Sequence, residues 1–159
     1  SPSRGLGDVY KRQLQKLYAF LARAPALTGV TLAVGDAGPA PGTAGLWCKG
    51  VTVLEQRENL LGTVRQRCRA EFTLRLCLPL PPGDSATAAE NAARLLALQT
   101  WVAAECAAGR APVFGNADPA RETLRAEQGK LERADAGGTA VYSLRIRAEY
   151  TQLYTEETP

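Results

Sequence analysis

Two stretches of strict alternation constrain this chain more than anything else in it. From Cys68 through Ala70, Phe72, Leu74, Leu76 and Leu78 every second residue is apolar, while Arg65, Arg67, Arg69, Glu71, Thr73 and Arg75 hold the positions between or just ahead of them. Nearer the C-terminus Ala140, Tyr142, Leu144, Ile146, Ala148 and Tyr150 alternate with Val141, Ser143, Arg145, Arg147, Glu149 and Thr151. Successive strand side chains point to opposite faces, so each stretch predicts a long strand with one dry face and one charged face. Pro79, Pro81, Pro82 and Gly83 end the first strand, because proline cannot donate to a ladder.

A sheet with a dry face needs a cover, and the sequence supplies two helices for it. Leu14, Leu17, Tyr18 and Leu21 recur at i, i+3, i+4 and i+7, which predicts a short amphipathic helix ending near Pro25. Thr87 and Glu90 fit a capping box opening a longer helix that runs to about Ala108 and stops at Gly109. Ala92, Leu95, Leu96, Leu98, Val102 and Cys106 form its apolar stripe. Val30 to Val34 reads as a short strand, Gly35 to Gly45 as a mobile loop, and Leu46 to Gln56 as a strand turning at Glu58 to Gly62. Thr123 to Ala134 is polar and reads as an edge-side strand, joined to the last one through the Gly137-Gly138 turn. The expectation is one α+β domain: a mostly antiparallel four- to five-stranded sheet with two helices packed on one face, in the order α-β-β-β-α-β-β.

The composition removes much familiar chemistry. Of 159 residues none is histidine, which excludes histidine triads, imidazole shuttles and histidine-bearing zinc sites. Cys48, Cys68, Cys77 and Cys106 include no CxxC pair and read as reduced, mostly core-filling thiols. No glycine-rich segment carries a GK[ST] or GxGxxG pattern between strand and helix, and the acids are scattered among arginines. No apolar window approaches the ~18 residues of a membrane span, and the N-terminus lacks signal-peptide order. Neither a catalytic residue, a cofactor, a metal nor a membrane partner is therefore expected.

The most informative charged feature is a stripe of Arg65, Arg67, Arg69 and Arg75 with Arg145 and Arg147, which two strands can present to one side of the sheet. The planar guanidinium suits carboxylate and phosphate partners, so the stripe is a candidate interface for protein or, less well supported by aromatics, nucleic acid. A solvated face is the alternative, since arginine outnumbers lysine 15 to 4 along the whole alanine-rich chain, as a GC-rich genome would dictate. Trp47 and Trp101 read as packed anchors, and Tyr150 and Tyr154 as closing the core or meeting a neighbouring subunit.

The first residues differ from the rest. The run from Ser3 to Gln13, SRGLGDVYKRQ, resembles the in-frame translation of a transposase adapter used in sequencing libraries, and no methionine stands at position 1. Residues 1–13 are therefore expected to be an adapter-derived or disordered tail, with the domain spanning 14–155. Without Arg4, Lys11, Arg12 and Asp8 the net charge falls from +3 to +1, which weakens any argument from overall basicity.

From Leu14 to Tyr154 the chain resembles the tail terminator family of long-tailed bacteriophages, gpU-like proteins also described as minor tail or minor capsid proteins. The likeness is carried by Leu14-Gln15-Lys16-Leu17-Tyr18, by Glu71-Phe72-Thr73-Leu74-Arg75-Leu76, and by Leu98-Gln99-Thr100-Trp101-Val102-Ala103-Ala104-Glu105 with the following Gly109-Arg110-Ala111-Pro112. Gln128-Gly129-Lys130-Leu131 and Tyr142-Ser143-Leu144-Arg145-Ile146 complete it. The resemblance implies a non-enzymatic virion tail protein, made in the bacterial host cytoplasm, that forms a hexameric ring on the tail tube, ends tube polymerisation and prepares head-tail joining. Its implied partners are itself, the tail tube protein and head-completion or connector proteins, with DNA only passing through the lumen. The alternative is a head-tail connector or minor capsid protein that contacts DNA or portal-proximal proteins.

Overall fold

The computed structural model describes residues 2–36 and 38–155, with side chains described from Gly7 onward. Ser1, the first residue of the expected 1–13 tail, and Ala37, inside the predicted loop, lie outside the described residues. In chain order the elements are α1 (Pro2–Leu21), a 3-10 turn (Pro25–Leu27), β1 (Thr31–Val34), β2 (Thr43–Glu58), β3 (Thr63–Pro79), α2 (Ser85–Ala107), a second 3-10 turn (Pro119–Arg121), β4 (Thr123–Ala134) and β5 (Thr139–Thr155). The five strands form one sheet in the order β1-β2-β3-β5-β4. The class is α+β.

The spine of the sheet is the antiparallel pairing of β3 with β5, which runs from Thr63 opposite Thr155 to Pro79 opposite Thr139 without a register shift. Because parity is kept throughout, the even residues of both strands fall on one face: Cys68, Ala70, Phe72, Leu74, Leu76 and Leu78 beside Tyr142, Leu144, Ile146, Ala148 and Tyr150, all buried. Leu17, Phe20 and Leu21 of α1 and Leu95, Leu98 and Val102 of α2 join the same cluster. The helices meet where Phe20 stacks on Trp101 at 4.6 Å between ring centroids.

The structure departs from the sequence expectation at several points. The sheet is mixed, because β1 runs parallel to β2. A parallel connection ordinarily needs a long crossover, but β1 has four residues, so the chain returns only ~13 Å and a glycine-rich loop suffices. Thr43–Gly45, predicted as loop, begin β2, with Gly42 N–H bonded to the Cys77 carbonyl at 2.8 Å. The cap of α2 is Asp84 and not Thr87: the Asp84 carboxylate accepts from the Thr87 backbone N–H at 3.0 Å and its hydroxyl at 2.7 Å. Those bonds, the backbone one first, hold the Asp84 carboxyl below its ordinary range. The buried stripe of α2 runs Asn91, Leu95, Leu98, Val102, while Leu96 is 62% exposed and Ala92 faces outward. Asn91 escaped the apolar pattern because it is polar; its amide donates to the Pro79 carbonyl at 2.9 Å and to the Tyr142 hydroxyl at 3.2 Å.

Helix α1 continues N-terminally through the boundary expected at residue 14. Gln13 is buried, and its amide donates to the Phe114 carbonyl at 3.4 Å. Phe114 in turn lies 6.0 Å from Phe72 and 6.2 Å from Tyr150 between ring centroids. Burial pushes the Tyr150 phenol up to about 12, a hydrogen bond from Gln13 opposing it and Cys68, Tyr10 and Tyr154 adding to it.

Two outcomes check this packing. Leu98→Ala is expected to cost ~2–5 kcal/mol in urea unfolding, and Leu96→Ala within ~0.5 kcal/mol, because only the first leaves a cavity. Since the folded Tyr150 pKa lies above its unfolded value near ~10, its stabilising share is complete below that pH and is lost as pH rises towards 12. Tyr150→Phe should flatten that alkaline slope of stability.

Candidate interface on the charged face

The odd-numbered residues of β3 and β5 share the face that the helices leave uncovered. All six arginines of the predicted stripe are on it, but the register divides them into three groups. In the middle, Arg69 lies opposite Glu149, and Glu71 opposite Arg147. Arg69 reaches Glu149 at 3.7 Å, and Arg147 sits between Glu71 at 3.5 Å and Glu127 of β4 at 3.4 Å. With Arg125 opposite Arg147, three arginines here face three glutamates, so this centre is neutralised within the chain. Cross-strand pairing of opposite charges is the ordinary way a sheet stabilises a polar face.

Two basic clefts flank that neutral centre. The first, about 480 Å³, is lined by Glu55, Arg57, Arg65, Arg67, Arg121 and Thr151. Arg57 faces Arg65 across the β2–β3 ladder, where like charges oppose, and Glu55 faces Arg67. The segment before β4 brings in the rest. Its Asn116 side chain acts as a strand fragment on β5, donating to the Leu153 carbonyl at 3.0 Å and accepting the Leu153 N–H at 2.7 Å. This docks the Pro119–Arg121 turn against the sheet, so that Arg67 donates to the Arg121 carbonyl at 2.9 Å and to the Thr151 hydroxyl at 3.2 Å, and Arg65 pairs with Asp118.

The same segment is tied down by Glu122, whose carboxylate accepts the Phe114 N–H at 2.7 Å and the Gly115 N–H at 3.1 Å. Burial nevertheless pushes the Glu122 carboxyl up, more than these bonds and the nearby Lys16 and Arg67 bring it down. Gly115 is required there, because a Cβ would overlap the Thr151 carbonyl.

The second cleft, about 280 Å³, gathers Trp47, Lys49, Thr73, Arg75, Lys130, Glu132 and Arg145. Arg75 lies over the Trp47 ring at 5.0 Å from its centroid and pairs with Glu132 at 3.4 Å. Arg145 makes neither an ion pair nor a side-chain hydrogen bond among the described residues. Of the candidate residues, then, Arg65 and Arg67 line one cleft, Arg75 and Arg145 the other, and Arg69 and Arg147 form the neutral bridge between them.

The lining residues Arg57, Arg121, Lys49 and Lys130 were not singled out from sequence. Arg57 and Lys49 lie on β2, where register shifts after Cys48 and after Val53 change which parity faces the arginines: Trp47, then Gly50 and Thr52, then Glu55 and Arg57. Lys130 follows a similar shift in β4, at Gln128 with φ of 55°. Such bulges cannot be counted off an alternating pattern.

Other chemistry on this face is limited by burial. Cys77 shares it, but its sulfur is covered, 3.4 Å from the Pro39 carbonyl, and burial pushes the thiol up, with Asp135 adding to the shift and Arg133 opposing it. All four cysteines are free. Among the described residues no three His, Cys, Asp or Glu side chains converge as a metal site.

The division into neutral centre and basic clefts sets an order of stability effects. Arg147→Gln, which strands two glutamates, is expected to cost ~1–2 kcal/mol, between the values for exposed and buried pairs. Arg57→Gln, at an exposed pair, should cost less than ~0.5 kcal/mol in the same urea titration. The chain matches no protein-family model and no curated protein sequence.

Proposed function

We propose that this protein is a structural subunit of a bacteriophage tail, a tail terminator that caps the tube as a hexameric ring, ends its polymerisation and prepares head-tail joining. One observation carries the reading beyond the resemblance: the sheet has one face covered by two helices and the other left with two clefts in which cations outnumber the acids that pair with them. A surface of that kind suits contact with acidic groups of another subunit. Its guanidinium forks recognise carboxylates bidentately, and heterologous subunit contacts close into rings when the rotation between subunits allows it.

The cleft with four arginines also favours a second reading, a head-tail connector that contacts DNA phosphates. The two differ in salt dependence. A phosphate-tracking protein releases counterions, so its logarithmic affinity for duplex DNA falls with the logarithm of salt at a slope near −0.9 per neutralised phosphate.

The test is light scattering behind a sizing column, with electron microscopy, on the full chain alone and with a tail tube protein from the same genome. Rings, or short tubes capped at one end, are expected. Arg145→Glu with Lys130→Glu inverts the second cleft at residues that make no ion pair among the described residues, and it should reduce capping at least tenfold with an unchanged unfolding curve. A chain that ignores the tube protein but binds duplex DNA with the steep salt slope would transfer the assignment to the connector.

A further inference from the structure

The β2–β3 hairpin ends in two leucines that nothing in the described chain covers. Leu60 and Leu61 are 105% and 91% exposed, at the tip of the turn between Glu58 and Thr63. The turn is tied: the Asn59 side-chain oxygen accepts the N–H of Leu61 at 2.9 Å and of Thr63 at 3.0 Å, and the Asn59 N–H donates to the Thr63 carbonyl at 3.0 Å. Behind the tip, Val53 and Leu54 are also exposed. The outer edge of β2 is bare there, since β1 pairs only with Thr43 to Leu46. A soluble surface rarely presents adjacent, fully exposed leucines on a fixed turn unless they dock.

Beyond the far end of β3 lies a groove of about 550 Å³, lined mainly by Leu80, Pro81, Pro82, Ala88, Ala134 and Ala136. Sites of ~300–1,000 Å³ hold whole drug-sized molecules, so two leucine side chains fit. Tip and groove are separated by the length of β3, 17 residues or ~50 Å, and therefore cannot meet within one chain. Their charges are opposite as well. The groove lining includes Asp84 and Asp135 and no cation. Behind the tip, Arg57, Arg65, Arg67 and Arg121 stand against Glu55, Glu58 and Asp118, an excess of one positive charge.

We propose that the Leu60–Leu61 tip of one subunit docks into the Pro81–Ala88–Ala136 groove of a second copy of this chain. The contact is heterologous, using two different patches of each subunit, so it propagates until it closes. A turn with two leucines falls well short of the ~1,200 Å² that a stable pair buries, and one contact alone is accordingly weak. Closure, with every tip and every groove occupied, is what makes the assembly tight. As the subunit contact of the proposed ring it rests on that reading, and the following experiment separates the two.

Sedimentation velocity of the full chain is run from about 1 µM to about 1 mM, a range that brackets weak association. Three samples are compared with wild type: Leu60→Ser with Leu61→Ser, which removes the tip; Ala88→Trp, which fills the groove; and their equimolar mixture. Both sites are at the surface, and Ala136→Trp on the opposite wall replaces Ala88→Trp if that variant does not fold. Wild type is expected to gain mass with concentration, and each variant alone to associate at least tenfold more weakly. The mixture, with one intact tip and one intact groove per pair, should form dimers and nothing larger. A monomeric wild type, a groove-filled variant that associates like wild type, or a mixture that stays monomeric would each overturn the contact. Failure to cap tubes with the mixed dimer intact would instead sink the tail assignment and leave the contact standing.

Discussion

The unbroken ladder between β3 and β5 is the constraint on which the rest of the molecule depends. Seventeen residues of β3 pair with β5 and keep parity from end to end, so a one-residue slip of either strand would move its whole even-numbered set to the other face. That rule places Phe72, Leu74, Leu144 and Ile146 in the interior and sends every arginine of the two strands to the opposite side. Helices α1 and α2 then have one surface on which they can bury their leucines, and they meet over it at Phe20 and Trp101. The ladder also sets the length of the molecule, and with it the separation between the leucine tip and the apolar groove.

On the charged side, the same register decides which arginines are occupied. Arg69 and Arg147 stand opposite or beside glutamates and form ion pairs with them at 3.4–3.7 Å within the chain. Arg65 faces Leu153 and finds its acid, Asp118, only in the segment before β4, while Arg145 stands opposite Thr73 and Glu127 but Glu127 pairs with Arg147 instead. An arginine stripe read as continuous along the sequence is therefore a neutral centre between two basic clefts. Uncompensated charge in a concave site focuses potential more than the same charge spread over a neutral surface, which makes the clefts the parts suited to a partner.

How far this was legible depended on whether a pattern survived without bulges. The two bulge-free strands, the edge position of β4 and the Gly137-Gly138 turn, with Gly138 at φ of 88°, could be read from residue types alone. The faces of β2 could not, because its two register shifts exchange parity twice and bring Arg57 beside Arg65. On α2, Leu95, Leu98 and Val102 are buried as their spacing predicts, but the first turn of the stripe is Asn91 and not Ala92: Asn91 is polar, yet it is buried because two hydrogen bonds satisfy its amide. Gly115 and Asn116 gave no sequence signal at all, since what they do is fit a loop against Thr151 and Leu153.

By itself, the sequence determined the α+β class, the dry and charged faces of β3 and β5, and the presence of two covering helices. Each of these follows from local periodicity, which the backbone imposes on side-chain direction whatever the partner strand. Only the tertiary structure decided the parallel placement of β1, the mixed order of the sheet, the acids that neutralise Arg69 and Arg147, and the clefts left over. Those depend on which residues of distant segments stand opposite one another, and register between strands is a property of the pair that neither strand carries alone.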